Sequence, residues 1–86
     1  MSESNALGDK IRALREVKKQ SDPRFSQRKF AEMLSLSPTY LNKVEAGELI
    51  PAADTIIRIA DLLDINRDEL LGLAEKVDPA LNAIIL

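Results

Sequence analysis

The chain has 86 residues with no cysteine and no histidine, and its formal net charge is −2 at pH 7. A chain of this length forms one small domain that buries about 60–65% of its unfolded surface, here with no disulfide to supplement the core. Lacking thiolate and imidazole to ligate a metal or act as a general base, the sequence reads as a protein that holds no metal or cofactor and is not an enzyme.

Met1 to Asn5 are polar and lack the basic-then-apolar layout of a signal peptide. No apolar run approaches the ~18–20 residues that span a bilayer, so a cytoplasmic location away from the membrane is expected. Apolar spacing is helical throughout, without a convincing strand or an internal repeat. Leu7, Ile11 and Leu14 fall at steps of four and three and place a first helix over residues 6–19. Lys10, Arg12, Arg15, Lys18 and Lys19 occupy its other faces. Gln20-Ser21-Asp22-Pro23 ends it, because proline cannot extend a helix and biases its predecessor towards extended geometry.

Three later helices share one starting device. Ser26 is placed to cap a helix over 26–34, with Phe25 before it and Phe30 at the fourth helical position. Ser37 caps a helix over 37–46, with Pro38 at its first position and Leu36 and Leu41 as the flanking pair. Asn66 caps a helix over 67–75, with Glu69 completing a capping box and Ile65 and Leu70 as the apolar pair. In each case a side-chain oxygen satisfies an orphan N–H while the apolar pair fixes the entry angle. Between the last two, Ile56, Ile59, Ala60 and Leu63 mark a helix over 53–63. A sixth segment opens at Asp78-Pro79 and carries Leu81, Ile84, Ile85 and Leu86.

Charge is unevenly divided among these elements. Residues 1–46 hold nine basic and six acidic side chains, whereas 47–86 hold three basic and eight acidic. A basic face at one end and an acidic, solvated face at the other follow from that asymmetry. Asp61, Asp64, Asp68 and Glu69 lack the alternating spacing and central glycine of a calcium loop and read as surface and cap residues.

The segment from Gln27 to Val44 is the most informative. Only Ser35-Leu36-Ser37 separates its two short helices, so the second must cross the first steeply, as in a helix-turn-helix. Phe30, Leu34, Leu36, Leu41 and Val44 fall at inward positions, and small Ala31 leaves room for the second helix. Thr39, Tyr40, Asn42 and Lys43 fall outward.

Ser26-Gln27-Arg28-Lys29-Phe30-Ala31 followed by Leu36-Ser37-Pro38-Thr39-Tyr40-Leu41-Asn42-Lys43-Val44-Glu45-Ala46-Gly47 resembles the phage-repressor (Cro/cI-type, or XRE) helix-turn-helix family. The flanking Ile11-Arg12-Ala13-Leu14-Arg15, Ile59-Ala60-Asp61-Leu62-Leu63 and Asp68-Glu69-Leu70-Leu71 resemble it too, so the likeness joins five segments from residue 6 to about 75. It implies an all-α fold: a five-helix, lambda-repressor-like DNA-binding bundle over residues 1–76, with a short helical tail over 77–86. It also implies a sequence-specific regulator of transcription, acting as a repressor, whose third helix reads the major groove of double-stranded DNA.

Carried over by position, Gln27 touches a phosphate or braces the third helix, and Ser37 meets a phosphate at that helix's N-terminus. Pro38, Thr39 and Lys43 take the base-reading positions, with Tyr40 and Asn42 beside them. Arg15 and Glu45 match a family ion pair between the first and third helices, which serves the bundle and leaves open a phosphate contact by Arg15. Three departures stand out. Ser35 occupies a turn position where glycine is common, and a positive φ there carries strain of about 1 kcal/mol. The link from Arg15 to Gln27 is longer than in the shortest members, bringing Lys19 and Arg24 towards the backbone. Pro38 offers only an apolar surface, suited to a thymine methyl.

Blander readings stand beside these. Phe25 and Phe30 suit the core better than a base-stacking platform, and the Tyr40 ring could cover the turn. Lys10, Arg12, Lys18 and Lys29 form a solvated face from which one or two reach phosphates. The tail residues Val77, Leu81, Ile84 and Ile85 either seal the bundle's own core or pack against a second copy. In the second case a homodimer would meet an inverted-repeat operator. The runner-up function is a protein-interaction module or antitoxin of the same fold, acting through a protein partner.

Overall fold

Turns that carry proline, glycine, serine or asparagine divide the chain into short helices. A computed structural model describes residues 5–77. Helix α1 spans Ala6–Lys19, α2 Gln27–Met33, α3 Pro38–Glu45, α4 Ala53–Leu63 and α5 Arg67–Val77, and there is no strand among the described residues. No helix among them is long and apolar enough to cross a membrane. The expected tail contacts Leu81, Ile84 and Ile85, with the segment opening at Asp78-Pro79, lie outside the described residues; Val77 ends α5.

The starts of α2, α3 and α5 follow from side-chain capping. Ser26 Oγ accepts from the Lys29 N–H at 3.3 Å, and Ser37 Oγ accepts from the Tyr40 N–H at 3.0 Å. Asn66 Oδ1 accepts from the N–H groups of Asp68 and Glu69 at 2.8 and 3.1 Å. Such caps contribute about 1 kcal/mol each. The Glu69 carboxylate, expected to close a capping box, instead reaches Lys10 Nζ on α1 at 3.1 Å. The link between α1 and α2 is more ordered than a simple loop. Pro23–Phe25 form a 3₁₀ turn whose cap, Asp22, accepts from the Arg24 N–H at 3.0 Å.

Three helices stop in the same way. Ser35, Gly47 and Asp64 have φ of 59°, 81° and 65°. Around each, two N–H groups turn back to the last helical carbonyls, as in Leu36 to Ala31 at 2.9 Å and Ser35 to Glu32 at 3.0 Å. The pattern repeats with Glu48 to Lys43 at 2.9 Å and with Ile65 to Ala60 at 3.0 Å. This is the Schellman arrangement, which favours glycine in the left-handed position, yet two of the three positions carry a side chain.

The apolar stripes meet in one core. Leu7 and Ile11 of α1, Phe30, Ala31 and Leu34 around α2, and Leu41 and Val44 of α3 are all buried. They pack with Ile56, Ile59, Ala60 and Leu63 of α4 and Leu70 and Ala74 of α5. Phe25 joins them, its ring centroid 5.6 Å from that of Phe30, so both rings belong to the core. Each fully buried large side chain contributes about 1.5–3 kcal/mol. Gly8 marks where α1 lies closest to α3: a Cβ there would stand 2.5 and 2.6 Å from the carbonyl oxygens of Glu45 and Val44. The core thereby holds α3 by its inward face and leaves the opposite face open.

Candidate nucleic-acid interface

Helix α3 owes its exposed face to the same periodicity that buries Leu41 and Val44. Pro38, Thr39, Asn42 and Lys43 are exposed, and they line a shallow recess with Gln27 and Glu48. Ser37 is exposed at the start of α3, its hydroxyl engaged in the cap. Tyr40 is half-buried and packs against the hydrophobic core, so its ring leans inward beside the recess. No cluster of metal-ligating side chains exists among the described residues.

A second recess adjoins the first. It lies between α1 and the α2–α3 pair and is lined by Arg12, Arg15, Glu16, Lys19, Gln27, Asn42, Glu45 and Ala46. Gln27 and Asn42 belong to both, which makes the two recesses one polar face.

A buried polar network supports this face from beneath. Arg15 Nε donates to Glu45 Oε2 at 2.7 Å, and Nη2 donates to Oε1 at 2.9 Å. Arg15 Nη1 also donates to the Phe25 carbonyl at 3.0 Å, tying the 3₁₀ turn to the pair. Arg15 and Glu45 are only 3% and 5% exposed, so each charge depends on the other for solvation. Hydrogen bonding to Glu45 raises the pKa of the guanidinium, against the opposing effect of burial. Gln27 Nε2 donates to Glu45 Oε1 at 3.2 Å, so the amide at the junction of the recesses is held by the same carboxylate.

Two contributors fall outside the sequence reading. Arg58 of α4 donates from Nη2 to the Leu34 carbonyl at 2.8 Å and so satisfies an acceptor at the end of α2. It lies 24 residues from Leu34, and no local pattern points to the contact. Glu48, just after α3, places an exposed carboxylate in the recess with Thr39 and Lys43. No local pattern in the sequence points to its sharing a recess with Gln27. Arg24, expected to approach a DNA backbone, is engaged by Asp22 at 2.8 Å. The hydrogen bonds from Arg24 hold the Asp22 carboxyl below its ordinary pKa.

Comparison with known proteins agrees with this architecture. The family described as Helix-turn-helix matches residues 23–70. An uncharacterized HTH-type transcriptional regulator, YazB, of Bacillus subtilis (strain 168) is 37% identical over 68 residues, covering 79% of this chain and 91% of that protein. The cryptic phage CTXphi transcriptional repressor RstR of Vibrio cholerae serotype O1 is 38% identical over 47 residues, covering 55% of this chain and 42% of that protein. No solved structure matches the chain. The matched span begins at the 3₁₀ turn and ends at Leu70 in the core, taking in α2, α3 and α4. The chain belongs to the helix-turn-helix family of DNA-binding transcription regulators, whose members are not enzymes.

Proposed function

We propose that the chain binds double-stranded DNA sequence-specifically and represses transcription by occupying a promoter, with α3 in the major groove. The observation that carries this reading is the contiguous outward face of α3: polar Thr39, Asn42 and Lys43 stand exposed beside apolar Pro38, while Leu41 and Val44 anchor the helix from behind. Thr39 and Lys43 read base edges, Pro38 offers an apolar surface to a thymine methyl, and Tyr40 and Asn42 act beside them. Gln27 and Ser37 hold phosphates, which fixes register without carrying sequence information. Similarity to a phage transcriptional repressor supports the negative sign of regulation. The protein acts in the cytoplasm.

Occupancy is by a homodimer on an inverted repeat, which places two copies of α3 in successive major grooves about 34–36 Å apart. Val77, Leu81, Ile84 and Ile85 supply the apolar contacts between copies, since a small domain gains little from leaving so many branched side chains uncovered. Sedimentation of the full chain and of a chain lacking residues 78–86 tests the dimer. A full chain that stays monomeric at high micromolar concentration, or a shortened chain that still dimerises, removes the tail from the interface.

Selection of bound sequences from a random duplex pool tests the function as a whole. An inverted-repeat consensus is expected, with affinity falling steeply as salt rises and counterions are released. A pool that returns no consensus, with retention on a protein partner that is indifferent to salt, would favour the interaction-module reading instead.

A further inference from the structure

Gly8 and Gly72 both lie inside helices, and the bundle explains only the first. At Gly8 of α1 a Cβ would run into the Glu45 and Val44 carbonyls of α3, at 2.5 and 2.6 Å. Gly72 stands in the middle of α5 without a positive φ, and a Cβ built on it would meet nothing within 4 Å. Glycine weakens a helix at such a position relative to alanine or any other ordinary residue except proline. A helical glycine that its own domain does not require leaves a notch through which another backbone can come close.

The notch opens into a groove between α1 and α5, lined by Ala6, Asp9 and Lys10 on one side and by Asp68, Gly72 and Leu73 on the other. Ala6, Gly72 and Leu73 are half-buried and form its apolar part. Lys10 Nζ and Glu69 Oε2, 3.1 Å apart, bridge the two helices. The groove shares no residue with the two recesses beside α3, so an occupant leaves the outward face of α3 free. From Asp68 to Leu73 it follows α5 for about 7.5 Å. Residues 78–86 follow α5, and they carry Leu81, Ile84 and Ile85 at positions i, i+3 and i+4 of one helical stripe. A helix of that length runs about 13 Å, enough to cover the groove.

We infer that the groove between α1 and α5 seats residues 78–86 of a second copy, so that two chains exchange tails. This rests on the homodimer reading and gives that dimer its docking surface. Pro79 biases Asp78 away from helical geometry, which makes Asp78 alone the link between α5 and the tail. Helices that fold back on one another need a connection of about 2–5 residues. So short a link directs the tail to the partner's groove and away from its own. There Leu81, Ile84 and Ile85 meet Ala6 and Leu73, and the missing side chain of Gly72 lets the tail backbone approach. The exchange is reciprocal, as a twofold dimer requires.

Sedimentation of Gly72→Gln is the first measurement, with Ala13→Gln, exposed on α1 and outside the groove, as its control. Gly72→Gln should weaken self-association by about tenfold or more, and Ala13→Gln should leave it unchanged. At concentrations where all three chains are monomeric, Gly72→Gln should melt no lower than the parent, because its side chain enters open space and glutamine favours a helix. The second measurement mixes full-length Gly72→Gln, which keeps a tail but blocks its groove, with a chain lacking residues 78–86, which keeps the groove alone. Every core side chain among the described residues lies between Leu7 and Ala74, so the shortened chain retains them all. The two should associate with each other more tightly than either does with itself. A Gly72→Gln chain that dimerises with the parent's affinity would overturn the groove as the seat. A mixture whose two chains ignore each other would overturn the exchange of tails. A shortened chain that dimerises by itself would overturn the tail as occupant. A monomeric parent would overturn the homodimer reading and this inference with it.

Discussion

Arg15 on α1 and Glu45 at the end of α3 meet across 30 residues of chain through two hydrogen bonds of 2.7 and 2.9 Å. Removing one partner leaves a buried charge uncompensated, which costs about 3–5 kcal/mol. For a domain of this size that lowers the melting temperature by more than about 10 °C. Thermal unfolding of Glu45→Ala should show the drop, with DNA affinity falling only as the folded fraction falls. The double variant Arg15→Met, Glu45→Leu should recover much of the loss, because apolar replacement of both charges removes the desolvation cost. A Glu45→Ala protein that melts with the parent would show that the pair does not form in solution.

Base reading and backbone positioning should separate on α3. Thr39→Ala and Lys43→Ala are expected to weaken binding to the selected duplex by about 1–3 kcal/mol and to random duplex far less. Gln27→Ala should weaken both more evenly. Thr39 and Lys43 are exposed, so those two variants keep the fold. Titrations showing the same loss on both duplexes for Thr39→Ala and Lys43→Ala would displace α3 from the bases.

Glu48 brings a carboxylate into the recess that holds Thr39 and Lys43. Facing phosphates, it repels every duplex alike, and the repulsion is strongest at low salt. Glu48→Gln should therefore tighten binding to random and selected DNA together. A selective loss on the selected duplex would instead assign Glu48 a contact to a cytosine amino group.

Ser35 sits at φ 59° in the turn between α2 and α3. An L-residue in that conformation is strained by about 1–2 kcal/mol, whereas glycine is not, though glycine loses more freedom on folding. Ser35→Gly should stabilise the domain by about 0.5–1 kcal/mol, read as a rise of a few degrees in melting temperature. Ser35→Val should destabilise it, since a β-branched side chain tolerates positive φ poorly. A glycine variant that melts lower than the parent would mean that the serine side chain makes a compensating contact.

Much of the fold was legible because its signals are local. Ser26, Ser37 and Asn66 announce their helices through chemistry completed within three residues, and the stripe from Phe30 to Val44 turns α2 and α3 inward. Helices α2 and α3 came out one residue shorter at each end: Ser26 and Ser37 are extended caps, and Leu34 and Ala46 lead directly into the left-handed stops at Ser35 and Gly47. What stayed hidden depends on tertiary approach. The Glu69 side chain can serve its own helix or a cation on another, and only packing brings Lys10 within reach. Asp64 ends α4 in a left-handed conformation that its residue type permits but does not signal. The candidate site shows the same division. Its outward residues on α3 could be read from periodicity, whereas the contact of Arg58 with the Leu34 carbonyl and the hold of Glu45 on Gln27 required the packed arrangement of the helices. The Arg15–Glu45 pair was visible beforehand only through family resemblance.

The cap that Arg58 places on the Leu34 carbonyl bears on how portable the reading unit is. A peptide of residues 26–47 would carry every outward side chain of α3 and both left-handed stops, Ser35 and Gly47. It would lack Arg58 of α4, which closes the end of α2, and Arg15 of α1, which neutralises Glu45. Helices of seven and eight residues are too short to persist in water unaided. Grafting this turn onto another scaffold therefore requires two cations supplied by the host, one beneath the last turn of α3 and one behind the first bend.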